Sequence, residues 1–204
     1  MRSKTLEIYE INSDIIGLMV AINEIGWPEI REQSVHRILY LSSVLYAFIY
    51  SKNDGNFNNY HFSITDSGPF SSVINKSLLD LRVRELLLED EHGNFKINTI
   101  RLKEESLPQS DKLEWFRIVI YILGKYGESK VFGFVIQDPQ YKEFFQRNSQ
   151  KEIDISDQNR TTKTLNKFKK TFEESIENVS QINQKEYLEL YFEYIFSKII
   201  RKES

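Results

Sequence analysis

Apolar residues recur at helical spacing over residues 6–25, where Leu6, Ile8, Ile11, Ile15, Leu18, Met19 and Ile22 fall on one stripe. Gly26 stops that helix and Pro28 opens the next segment, predicting a second helix over 29–51. After Val35 this second segment is apolar on most sides, the pattern of a helix central to a core. A turn-rich loop at 52–59 leads to alternating Tyr60, Phe62 and Ile64, which predict a short strand. The chain then reads Asp66-Ser67-Gly68-Pro69. Here Asp66 or Ser67 is expected to cap a helix over about 70–84, with Pro69 in its first turn. Leu86–Leu88 and Phe95–Ile97 flank a turn containing Gly93, which predicts a hairpin over 86–98.

Beyond a polar connector at 102–110, Ser110 is the expected cap of a helix striped by Leu113, Phe116, Ile120 and Leu123. Asp138-Pro139 breaks the next apolar stretch, residues 149–159 are polar, and two helices are predicted at 160–179 and 184–202. The whole is a mostly α fold with a small β-hairpin, class α+β. Helix, helix, strand, helix, hairpin is the order of a winged helix-turn-helix, with 70–84 as recognition helix and 86–98 as wing. Residues 1–108 are expected to form that winged-helix-like unit and 109–204 a helical extension packed on it.

Composition changes this picture little: 204 residues at 40% hydrophobic and 28% charged support a well-packed core. Net charge is -3, which argues against a constitutive nucleic-acid coat. The absence of cysteine excludes disulfides, thiolate metal sites and cysteine nucleophiles. The N-terminal residues carry charges too often for a signal peptide, and no apolar run reaches the roughly 18–20 residues of a membrane span. A soluble cytoplasmic protein without membrane contact is expected.

Candidate chemistry is sparse. Ser67 lacks the flanking glycines of a nucleophile elbow, and His36, His61 and His92 are scattered over different elements. The glycines and lysines of 124–130 lack the spacing of a phosphate loop. The expectation is a protein that is not an enzyme and has no cofactor and no metal.

Binding residues are easier to nominate. Lys76, Arg82 and Arg84 on or beside the predicted recognition helix, with Lys96 on the wing, are candidates for nucleic-acid contact, although the acidic run 85–91 opposes it. Residues 159–170 hold Arg160, Lys163, Lys167, Lys169 and Lys170 without an acid, so a phosphate contact competes there with a merely solvated helix face. The last helix is rich in aromatics. Tyr187, Tyr191, Phe192, Tyr194 and Ile195 are the candidates for a partner-binding surface, against the alternative that neighbouring helices of the same chain cover them.

The segments "VHRILYLSSVLYAF", "HFSITDSGPFSSVINKSLLDL", "LLLEDEHGNFKIN" and "ILGKYGESKVFGFVIQDPQY" resemble the YwgA-like winged-helix family. Within it they look most like the middle components of ABC-three-component anti-phage systems such as Lamassu. The resemblance spans 35–141; its most specific points are the Gly-Pro-Phe-Ser turn at 68–71 and Asp138-Pro139, and Phe70 stands where the family more often has Tyr. It implies a non-catalytic subunit between an SMC/Rad50-like ATPase and an effector such as a nuclease, with DNA reached through the complex. A stand-alone winged-helix DNA-binding regulator or antitoxin is the alternative.

Overall fold

The first apolar stripe becomes α1 (Lys4–Glu24), with Ile11, Ile15, Leu18, Met19 and Ile22 all buried. The computed structural model describes residues 4–50, 56–147, 152–175 and 182–203. Gly26 takes a positive φ of 78° and ends the helix, as expected. The second helix starts later than expected. Ile30 and Arg31 instead form β1, a strand too short to show any periodicity, and α2 runs from Glu32 to Tyr50. Residues from Ser34 to Phe48 are buried almost without interruption, except Arg37, which makes α2 the central element.

The turn at 66–69 overturns one expectation. Ser63–Thr65 and Gly68–Phe70 pair as an antiparallel hairpin, β2 and β3, with Ile64 opposite Pro69. Asp66 and Ser67 are its two-residue turn, so neither caps a helix. Gly68 has φ of 114°, a conformation that side-chain-bearing residues rarely adopt. The Ser67 carbonyl accepts from Arg37 Nε and Nη2 at 3.0 and 2.6 Å, and the Arg37 guanidinium lies 4.3 Å over the Phe132 ring. Tyr60 and Phe62 are buried but lie outside the strand. Helix α3 (Ser72–Val83) begins at Ser71, whose carbonyl accepts from Ile74 and Asn75. The Ser71 amide donates to His36 Nδ1 at 3.1 Å, which pins the start of α3 to α2.

The predicted hairpin is present as β4 (Leu87–Glu89) and β5 (Asn94–Ile97). Asp90 accepts from the amides of His92 and Asn94 and shapes its turn. Both pairings are antiparallel and the strand order is β1-β5-β4, so the segment before α2 completes the sheet. The connection from α2 to α3 spans residues 51–71 and carries the β2–β3 hairpin; it is not the three- or four-residue turn of a simple helix-turn-helix. Helix α3 packs chiefly on α1 and β4.

Helix α4 (Ser110–Gly124) lies along α1, and its Trp115 donates through Nε1 to the Ser42 carbonyl at 3.0 Å. Its N-cap is Gln109, one residue earlier than the expected Ser110. Helices α5 (Val131–Gln137) and α6 (Pro139–Gln146) are separated at Asp138, which caps α6 by accepting from the Tyr141 amide at 2.9 Å. Helices α7 (Arg160–Ser175) and α8 (Gln184–Glu203) complete the chain; the expected last residues of the first, 176–179, lie outside the described residues. The fold is mostly α with small antiparallel sheets. One buried cluster runs from Ile11 through Trp115 to Ile199, so α4 to α8 share the core of α1 to α3.

Candidate functional site

Helix α8 is part of that core. Tyr187, Tyr191, Phe192 and Ile195 are buried within the chain, and of the five residues expected to bind a partner only Tyr194 is exposed, at 47%. The cause is cover from several sides, because α8 packs on α2, α4, α5 and α7. Phe172 meets Tyr187 edge-on at 5.8 Å, Phe168 meets Tyr191 at the same distance, and Phe134 lies 5.0 Å from Phe192. Gly133 lets α5 come close: a Cβ there would sit 3.0 Å from Ile199 Cδ1. Burial also pushes the Tyr191 hydroxyl far up from its ordinary pKa. The aromatic surface is covered internally.

Helix α3 is the reverse. Lys76, Arg82, Arg84 and Lys96 are exposed as expected, but the two arginines are engaged: Arg82 with Glu89, and Arg84 Nε with Asp80 at 3.0 Å. Residues 72–97 carry four lysines and arginines against five carboxylates. The outward stripe between these charges is apolar, with Leu79 at 51% and Val83 at 73% exposure one turn apart. Leu88, on β4 opposite Lys96, is also exposed.

The basic residues of 159–170 divide. Arg160, Lys163 and Lys167 line a groove between α6 and α7, whereas Lys170 points elsewhere and pairs with Glu174 along its own helix. The groove continues past α8 as two adjoining hollows of about 510 and 560 Å³. Lys142, Arg147 and Lys198 join it from α6, its C-terminal end and α8. These three were missed in the sequence because each stands in a segment of mixed charge, and only the fold brings them together. Glu143 sits between two guanidiniums, 2.5 Å from Arg147 and 2.9 Å from Arg160. The Arg160 hydrogen bond holds its carboxyl below the usual range.

The groove stands on a rigid polar base. Asp138 accepts from the Tyr40 hydroxyl at 2.6 Å and from Thr161 Oγ1 at 2.5 Å, tying α2, α6 and α7 together. Burial raises its carboxyl above the ordinary range, with these donors acting against that. Asn159 completes the joint by donating to the Val44 carbonyl at 3.0 Å and accepting from the Thr162 amide. The sequence showed Asp138-Pro139 only as a helix break; in the fold it is the anchor of this region.

Asp14 and His36 are perturbed as well. Burial pushes Asp14 up to about 6, against the pull of Lys112, whose ammonium lies 2.5 Å away, and of the Tyr60 hydroxyl at 2.8 Å. The ion pair is closed to solvent and ties α1 to α4. Burial, helped by Arg37, lowers His36 to about 4, and its ring stacks on Phe70 at 5.0 Å. His61 lies elsewhere, 2.9 Å from Glu152 on the surface. Among the described residues no group of three His, Asp or Glu side chains could hold a metal, and no helix is long and apolar enough to cross a membrane. Comparisons with family models, curated proteins and solved structures each return no match for this chain.

Proposed function

We propose that the chain is a non-catalytic assembly subunit that docks another protein through the outward face of α3. The observation that carries this is the apolar stripe of Leu79 and Val83 on the helix that a winged-helix DNA reader would lay in the major groove. A reader needs donors there for phosphates and base edges, while exposed leucine and valine favour a protein surface. The order α1, β1, α2, α3, β4, β5, with β1 on β5, supports descent from a winged helix. The family resemblance supplies the partners: a cytoplasmic anti-phage complex with an SMC-like ATPase and an effector such as a nuclease. In that assembly the buried Asp14–Lys112 and Asp138–Tyr40 contacts serve rigidity.

The second reading, a stand-alone regulator or antitoxin, draws on exposed Lys76 and Lys96. Co-expression with the products of its neighbouring genes separates the two. Assembly predicts a complex that survives gel filtration, and no sequence-specific binding to duplex from its own promoter. Specific promoter binding that is lost in Lys76→Ala/Lys96→Ala, with no complex formed, would favour the regulator.

A further inference from the structure

We propose that the groove bounded by α6, α7 and α8 binds a single-stranded nucleic-acid segment, independently of the partner surface on α3. Its lining brings six cations, Lys142, Arg147, Arg160, Lys163, Lys167 and Lys198, against two carboxylates, Glu143 and Asp154. The carboxylates are already engaged. Glu143 is shared by Arg147 and Arg160, and Asp154 accepts from the Ser156 amide at 2.9 Å. An arginine presents five N–H donors, so one shared carboxylate leaves each guanidinium oriented with donors to spare. The groove therefore keeps a local positive field on a chain whose net charge is negative.

Three features point to one strand. The charges run along the groove through both hollows, as needed to track a flexible phosphodiester chain. Tyr194 lines the first hollow and is the large aromatic side chain of α8 that stays half exposed while its neighbours are buried. Base–aromatic stacking is a main source of affinity for unpaired strands and is closed to a base inside a duplex. Lys198 Nζ lies 4.1 Å over one face of the Tyr194 ring, whose centroid is 6.0 Å from that of Phe168, so a base stacks on Tyr194 when Lys198 swings off the ring to a phosphate. The polar base at Asp138 and Asn159 ties α6 and α7 to α2 in one arrangement, which makes the groove preformed.

The test uses the full chain and a fluorescein-labelled oligo(dT) of about twelve nucleotides, within the range one such site covers. Anisotropy is read at about 50 and about 200 mM salt. The expected result is salt-sensitive binding, stronger than for a duplex of equal length. Lys163→Glu/Lys167→Glu should weaken it at least about tenfold and lower the slope of log affinity against log salt by about 1.4, two contacts' worth for a single strand. Tyr194→Ala should weaken it about fivefold or more, and Lys170→Glu, outside the groove, less than about twofold. Circular dichroism melting confirms that each variant is folded. Absence of binding at low salt, equal affinity for the duplex, or equal loss in the Lys170 and Lys163/Lys167 variants would each overturn the proposal.

Discussion

Helices α8 and α3 invert what their compositions suggest. Helix α8 carries aromatic residues on most sides, yet hides Tyr187, Tyr191 and Phe192 because four helices pack around it. Helix α3 is of modest hydrophobicity and mixed charge, yet leaves Leu79 and Val83 in solvent because its main cover, α1 and β4, lies on its other side. Exposure is decided by what stands opposite a face, and that is a property of the fold. A residue-rich stripe is a weak sign of an interface when its neighbours are unknown.

The largest expected effect tests α8 as core. Phe192→Ala removes a ring packed against Phe134 and should cost about 3–5 kcal/mol in chemical denaturation. An unchanged midpoint would mean that the helix is detachable and that the contrast with α3 fails.

Next is the pin between α2 and α3. His36 titrates at about 4 in the folded protein against 6.5 ordinarily, so the unfolded chain takes up its proton first as pH falls. Stability from this residue is therefore complete above about pH 6.5 and is lost as pH drops toward about 4. Relative to His36→Gln, the wild-type protein should lose on the order of 2–3 kcal/mol over that window. Urea midpoints in a pH series measure it, and parallel curves for the two proteins would remove His36 from the account.

Smaller effects belong to the hairpin that precedes α3. Gly68→Ala forces a side chain into φ of 114° beside Arg37 and should cost about 1–3 kcal/mol by thermal melting. Ser67→Ala should stay within about 0.5 kcal/mol, because only the Ser67 carbonyl is used, by Arg37. A larger loss would mean that the Ser67 hydroxyl itself holds the turn.

Much of the fold was legible. The long helices, the β4–β5 hairpin and the break at Asp138-Pro139 arise from periodicity and turn chemistry. The two-residue β1 left no pattern, since its existence depends on pairing with Phe95 and Asn94 across the fold. The β2–β3 hairpin was hidden by Gly-Pro, which reads equally as the first turn of a helix. For the groove, Arg160, Lys163 and Lys167 stood out as an acid-free run, while Lys142, Arg147 and Lys198 required tertiary structure.

The central claim is that α3, not α8, offers the protein-binding face. The direct measurement is retention of the proposed partner, a co-expressed SMC-like ATPase, on tagged Leu79→Glu/Val83→Glu and on tagged Tyr194→Ala, with the melting midpoint of each variant recorded. The account predicts that the α3 variant loses the ATPase at an unchanged midpoint, truncated interface anchors typically being worth about 2 kcal/mol or more, while Tyr194→Ala keeps it. Retention by the α3 variant, or loss by Tyr194→Ala alone, would contradict it.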